Sequence, residues 1–328
     1  MRALVVSEYG PWDSHALQED WPDPAPGPGG VLIETRAMSV NFPDVLMVEG
    51  GYQHKPPTPF VPGFDAAGVV LAVGEGVTRV APGDRVLTYT RDGAFAEKVA
   101  APEGDVWKIP DAMPWDHAAA FGLVYLTAHI SMIENSACKP GEWVLVTGAS
   151  GGVGLAMVQY GAALGIRIIG GVTSPEKAHL VIEQGAEATV DLSSPDLFST
   201  LRDQIFAIAP EGVDAVMDMV GGDVWDAAIR GVRNGGRMAI VGFAGGRIQS
   251  IKPTYLLNKN ISAIGSPLGK GLPEYGAIKD RAMDRLFAEY RTGKLTPHIS
   301  ETLPLAEWKT AFGRFKHRKV TGKIIMVP

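Results

Sequence analysis

Four glycines crowd into the seven residues from Gly148 to Gly154, in the stretch GASGGVGLAMV. Glycine is poor in helix and strand interiors, so the run serves either a tight turn or something that comes very close to the backbone. Ala149-Ser150-Gly151-Gly152-Val153-Gly154 fits the pattern G-x-G-x-x-G with alanine at the first position. Between a strand and a helix, such a turn sets helix N-terminal N–H groups against a dinucleotide pyrophosphate. Gly151 would let the phosphates approach, and Gly154 would let the helix pack close to the strand. About twenty residues further on, readers of an unphosphorylated ribose carry Asp or Glu. Here the chain runs GGVTSPEKA, with no acid at Gly171, Val172, Thr173 or Ser174. A 2′-phosphate would meet small hydroxyls, a helix N-terminus and Lys177, while Glu176 is expected to face solvent. One charge-assisted phosphate contact contributes about 1.5–3 kcal/mol, enough to prefer NADPH over NADH by about ten- to a hundredfold. Lys177 is otherwise a solvated helix charge.

These residues need a strand before them and a helix after them, and the surrounding pattern supplies both. EWVLVTG is a continuous apolar strand, and GVGLAMVQYGAALG is apolar on most faces, as a helix buried against a sheet would be, with Gly165 at its C-terminal cap. IRIIGGV is the next strand. Ser174 and Pro175 then start a helix that Gly185 ends. EATVD follows as a third strand, and Ser194 with Pro195 repeats the cap-and-proline start before DLFSTLRDQIFAI. VDAVMDMV and GRMAIVGF are two further strands, with the helix DVWDAAIRGV between them. Buried strands alternating with helices mean βαβ units and a doubly wound parallel sheet. By contrast, residues 1–121 read as an all-β unit with strands GVLIETRAMSV, AAGVVLAVGEGV, DRVLTYT and AFAEKVAAP. The last part holds the strand ISAIG, helices around Met283–Arg291 and Leu305–Lys316, and a final strand GKIIMV. The fold class is therefore α/β. The expected division is 1–121 for a β-rich domain, 122–265 for a dinucleotide-binding domain, and 266–328 for a return to the first.

At 328 residues two domains are the natural expectation. The formal net charge of −6 argues against sequence-independent nucleic-acid binding. Cys138 is the single cysteine, which excludes an internal disulfide and a multi-cysteine zinc site. No apolar run approaches the ~20 residues of a membrane span, and the first residues lack a signal-peptide core, so a cytoplasmic location is expected.

Taken together, PGDRV, GAFAEKV, KPGEWVLVTGASGGVG and TGKIIMV resemble the medium-chain dehydrogenase/reductase superfamily nearly end to end. The resemblance implies a GroES-like catalytic domain followed by a Rossmann domain. SVNFPDVLMVEGGY and VPGFDAAGVV resemble the zinc-free quinone oxidoreductases, the zeta-crystallin-like branch. Zinc enzymes of this fold carry a His-Glu pair where this chain has Phe64 and Asp65, and a thiolate in the region where it has Asn41. His54 and His117 have no spacing partner, so no metal is expected. By this resemblance Asn41 would hold the nicotinamide ribose or orient the acceptor. Its other reading is a turn residue bonding its own backbone. Thr127 would sit near the nicotinamide, Gly242, Phe243 and Ala244 would border the ribose, and Ser266 and Leu268 would cover the carboxamide. Lys323 would reach the pyrophosphate or else be a surface strand lysine. In the related enoyl-thioester reductases a tyrosine after a similar Asn-x-x-Asp segment is the proposed proton donor. That implies Tyr52 here, as an acid toward an enolate or as an aromatic lining. Some members place an Asn-Tyr near the adenosine, whereas this chain reads Asp191-Leu192.

The reading that follows is an NADPH-dependent, metal-free reduction of quinones or other α,β-unsaturated carbonyl compounds. Hydride addition beside a carbonyl gives a delocalised anion, so orientation and a proton source suffice. An enoyl-thioester reductase is the neighbouring expectation, with FGRFKHRKVTGK as a basic rim for its phosphates. A non-enzymatic NADPH-binding structural or RNA-binding protein is the alternative of another class. The apolar edge strand ISAIGS is expected to pair with its symmetry mate in a homodimer.

Overall fold

The apolar run after Glu142 forms the strand Trp143–Thr147, central in a six-stranded sheet. The computed structural model describes residues 1–269 and 274–328. They divide into two units: Met1–Leu123 with Pro297–Pro328, and Val124–Thr296.

In the second unit the sheet order is Ala188–Asp191, Arg167–Val172, Trp143–Thr147, Val213–Asp218, Val232–Ile240, Ser262–Gly265, with every neighbouring pair parallel. Numbered along the chain this is 3-2-1-4-5-6, the doubly wound order whose topological switch lies between the first and fourth strands. Leu145, Ile169, Val216, Leu201, Ile205 and Trp225 fill the core on one side of the sheet. The helix Gly152–Ala163 is buried continuously from Gly154 to Gly161, as its all-round apolar sequence requires. The helix Pro175–Glu183 starts at the N-cap Ser174 with proline in its first turn. The Ser194-Pro195 start does not hold. The helix is Leu197–Ile208 and its cap is Asp196, whose carboxylate accepts the Ser199 N–H at 3.4 Å. The helix Tyr275–Arg291 is longer than its expected core and lies in the second unit. Helix Trp115–His129 runs directly into a π-helical turn, Ile130–Asn135.

The first unit is built on a seven-stranded sheet with the path Ile299–Pro304, Lys323–Val327, Gly30–Val40, Asp65–Val73, Arg85–Tyr89, Val106–Lys108, and Lys98–Pro102 paired to Gly30–Val40. Its long strand Gly30–Val40 runs straight into a short helix, Phe42–Val48, with Asn41 at the junction. The final strand lies antiparallel to Gly30–Val40, setting Ile324 opposite Val40. Residues near the end of the chain therefore close on the Asn41 junction.

Candidate active site

Proline at the second helical position and a capping box end the strand at Asn41 and begin the helix. Asp44 Oδ2 accepts the Asn41 N–H at 2.6 Å, and the Asp44 N–H donates to the Asn41 carbonyl at 3.1 Å. The Asn41 amide is used elsewhere. Its Nδ2 donates to the Ser39 carbonyl at 3.2 Å and to Asp65 Oδ2 at 2.9 Å, while its Oδ1 accepts from Lys323 Nζ. Asp65 Oδ1 accepts the Leu123 N–H at 3.0 Å, and Lys323 Nζ lies 3.9 Å from Asp65 Oδ2. Asn41, Asp44, Asp65 and Lys323 are all buried. Burial lifts the Asp65 carboxyl against the pull of the lysine, and lifts Asp44 well above the usual carboxylate range. The same burial lowers the Lys323 ammonium.

Two expectations change here. Lys323 is no surface lysine, and its ammonium is committed to Asn41 and Asp65 instead of to a pyrophosphate. Asn41 has both amide donors engaged, which leaves it only acceptor capacity for a ligand. That Asp44, Asp65 and Lys323 are the partners of Asn41 is not legible from their spacing. Asp44 and Asp65 stand inside quoted segments, but only the fold brings Lys323 to them, 282 residues from Asn41.

Tyr52 lies just beyond the helix, half-buried, its ring edge-on to Phe64 with centroids 5.7 Å apart. Phe64 in turn stacks on Tyr89 at 6.3 Å. Burial first, and the nearby Asp44 second, push the Tyr52 phenol above its ordinary value of 10.0. Tyr52 is thus held protonated at neutral pH against an aromatic wall. His54 Nε2 lies 2.9 Å from Asp92 Oδ2. Among the described residues no group of three or more His, Cys, Asp or Glu could hold a metal ion. Asp65, where zinc enzymes would have a ligand, is fully occupied by an amide, a backbone N–H and an ammonium. The donor set does not fit zinc.

In the second unit all strands are parallel, so their carboxyl ends share one edge of the sheet. That edge carries Ala149–Gly154, Thr173 to Lys177, Gly242–Ala244, and Ser266 with Leu268. A Cβ on Gly154 would stand 2.4 Å from the Gly148 carbonyl oxygen and 2.7 Å from Ala149 Cα. A Cβ on Gly151 would meet only the Gly148 oxygen, at 3.5 Å. The protein's own packing therefore demands glycine at 154 but not at 151, where the open face suits a close ligand. The helix beginning at Gly152 has no side-chain cap, so its first-turn N–H groups remain available to an anion. Thr147 and Asp218 close the switch point: Thr147 Oγ1 donates to Asp218 Oδ1 at 2.5 Å, and Asp218 accepts the Val220 and Gly221 N–H groups at 3.1 and 3.0 Å. Gly242 and Ala244 are tied to this turn through the Asp218 and Met219 carbonyls. The residues fit a dinucleotide pyrophosphate.

Beside it, Lys177 Nζ folds back to 3.5 Å from Thr173 Oγ1, and Ser174 Oγ accepts the Lys177 N–H at 3.4 Å. Glu176 is exposed as expected, but the Ser174 hydroxyl holds its carboxylate below the usual range. The positive end of this edge thus rests on Lys177 and the helix N-terminus, with Glu176 opposing. Thr127 is buried on the helix Trp115–His129. Ser266 differs from expectation in one respect: its hydroxyl donates to Ser131 at 2.7 Å and accepts from Asn135 at 2.9 Å. Its backbone N–H is engaged as well, donating to the Ile240 carbonyl at 2.9 Å. Leu268 is half-buried and Leu192 is buried, packing under Gly171 in place of a stacked ring. In the basic run at 312–323, Arg314 pairs with Glu301, Lys316 with Glu49 at 2.8 Å, and Lys323 is buried, while His317, Arg318 and Lys319 are exposed.

A β-rich unit with a buried polar junction and a doubly wound unit with a glycine turn define a dehydrogenase/reductase of two domains. Residues 27–111 match the alcohol dehydrogenase GroES-like domain, and residues 152–286 match the zinc-binding dehydrogenase domain. The chain is 35% identical over 312 residues to the mouse quinone oxidoreductase-like protein 2, covering 94% of this chain and 88% of that protein. It is 32% identical over 345 residues to the human synaptic vesicle membrane protein VAT-1 homolog, covering 100% and 86%. A mycobacterial protein, Rv1454c, solved in complex with NADPH, superposes with a TM-score of 0.90 at 31% identity, covering all of both chains. The chain belongs to the medium-chain dehydrogenase/reductase superfamily, among the quinone oxidoreductase-like proteins, and is an oxidoreductase.

Proposed function

We propose that this enzyme uses NADPH to reduce conjugated carbonyl compounds, quinones and enones, by hydride transfer without a metal. The observation that carries the reading is the make-up of the first unit's polar junction. Reduction of an isolated carbonyl is helped by a Lewis acid such as a metal ion, and the carboxylate at the position of a zinc ligand, Asp65, is already engaged by Asn41, Leu123 and Lys323. A conjugated acceptor needs only orientation and a proton, and Tyr52 is placed as a protonated phenol. The dinucleotide, when bound, supplies the hydride. Gly151 and the first turn of its helix would hold the pyrophosphate, and Lys177 with Thr173 the 2′-phosphate. Thr127, Gly242–Ala244 and the backbone at Ser266 to Leu268 would flank the nicotinamide. Asn41, held by Asp65 and Lys323, would present its remaining lone pair to the ribose or acceptor. The NADPH bound in the mycobacterial relative supports the same cofactor. A small-molecule substrate is implied, and among the described residues no helix is long and apolar enough to cross a membrane. A cytoplasmic location belongs to this reading.

The test is oxidation of NADPH and of NADH with a panel of quinones, enones and saturated aldehydes, with and without a chelator. Turnover of conjugated acceptors, preference for NADPH and indifference to chelation are expected. Failure with every conjugated acceptor, or loss of activity on chelation, overturns the reading.

A further inference from the structure

We propose that Gln159 is a positioning residue for hydride transfer. Its side-chain amide ties together the two points at which the chain passes between the units. A dinucleotide held by the second unit is thereby presented to Asn41 and Tyr52 of the first in a fixed register. This rests on the functional reading above. Packing alone gives no reason for an amide at this place. From Gly154 to Gly161 every residue of the helix Gly152–Ala163 is buried, and Gln159 is the one among them with a side-chain amide, at 6% exposure. Burying an amide costs free energy unless its hydrogen bonds are made, so its partners disclose its use.

Oε1 of Gln159 accepts the Tyr125 hydroxyl at 2.6 Å and the Thr296 N–H at 2.9 Å. Its Nε2 donates to the Thr296 carbonyl at 2.7 Å and to Gln184 Oε1. A side-chain amide has two lone pairs and two hydrogens to offer, so its capacity is filled. The paired bonds to Thr296 also fix which end is oxygen. Turned over, the amide would set its NH2 against the Thr296 N–H.

Three of the four bonds go to the crossings. The chain leaves the first unit after Leu123 and re-enters it at Pro297. Tyr125 is the second residue past the first crossing, inside the continuous helix Trp115–His129, and Thr296 is the last residue before the second crossing. The helix carries the chain stiffly through the first. At the second, the proline ring fixes its own φ and confines Thr296 to extended backbone. One buried amide therefore sets the spacing and orientation of two stiff segments within the second unit. The helix that bears it opens at Gly152 against the pyrophosphate, about two turns earlier. Dinucleotide and crossings hang on the same rod, so breaking the tie disturbs the register and leaves the dinucleotide's own contacts in place.

Two measurements test this. In the wild type the Thr296 amide should exchange its hydrogen slowly although the residue is exposed, a comparison that needs no variant to fold. Gln159→Met, of similar size, should release that amide. In single-turnover reduction of a quinone, Gln159→Met should slow hydride transfer about tenfold or more while the Kd for NADPH stays within about twofold of the parent. Tyr125→Phe, which keeps the ring, should slow the same step. Gln184→Met breaks the one bond that goes to no crossing and should leave the step unchanged, whereas an amide with a merely structural role would respond alike to both. Fast exchange at Thr296 in the wild type overturns the proposal. So does parental hydride transfer in Gln159→Met, a loss of NADPH binding that accounts for its slower rate, or a Tyr125→Phe rate no lower than that of Gln184→Met. A wild-type enzyme with a protected Thr296 amide that transfers no hydride to any conjugated acceptor overturns the functional reading instead.

Discussion

Gly151 and Gly154 lack side chains for different reasons, and the difference can be measured. A methyl at 154 collides with the Gly148 carbonyl at 2.4 Å, backbone that has no easy way to move. Gly154→Ala should therefore destabilise the fold by about 1–3 kcal/mol, read as a lower urea midpoint. A methyl at 151 meets one atom at 3.5 Å. Gly151→Ala should unfold within about 0.5 kcal/mol of the parent yet weaken dinucleotide binding, seen as a raised KM with the melting curve intact. Lys177 is the other residue whose role is separable. Its ammonium lies beside Thr173 Oγ1, so Lys177→Ala should raise the KM for NADPH about tenfold and leave that for NADH alone. An unchanged KM for NADPH would mean a solvated helix charge.

Among elements, the π-helical turn Ile130–Asn135 shows how a loop can be fixed from behind. It sends Ser131 and Asn135 to the one hydroxyl of Ser266, where the last strand of the second-unit sheet ends. Ser131→Ala would leave the buried Ser266 hydroxyl without its acceptor. A loss of about 1–3 kcal/mol in urea unfolding is expected, and an unchanged midpoint would show that the pair bears no strain. This turn was not legible in the sequence, because its apolar residues continue the helical pattern of Trp115–His129 without a break. The helix Phe42–Val48 was likewise missed as a helix, being seven residues with a proline near its start. The strands and helices around the glycine turn were legible, since each is long, apolar and bounded by its own cap. The Ser194-Pro195 start misled because Asp196, one residue later, is the stronger acceptor for the Ser199 N–H.

For the whole molecule, the parallel sheet could be read because its strands follow one another with helices between them, and local pattern suffices. The polar junction of the first unit could not, because Asn41, Asp65 and Lys323 come from three distant segments and only the strand order unites them. Among the described residues the edge strand Ser262–Gly265 has one neighbour, Val232–Ile240, and follows a helix that leaves Leu257 82% exposed. An unpaired apolar edge invites a second copy. Light scattering should return the mass of two chains, and a one-chain mass would refute the pairing.

The 282 residues between Asn41 and Lys323 also set an order of events during biosynthesis. The second unit is one uninterrupted stretch, Val124–Thr296, so all of it leaves the ribosome while the first unit still lacks its closing strand. Until residues 323–327 emerge, Asp65 has no ammonium and the Asn41 oxygen has no donor. The half that carries Tyr52 begins first and finishes last. A nascent chain therefore acquires its nucleotide fold before its polar junction can close.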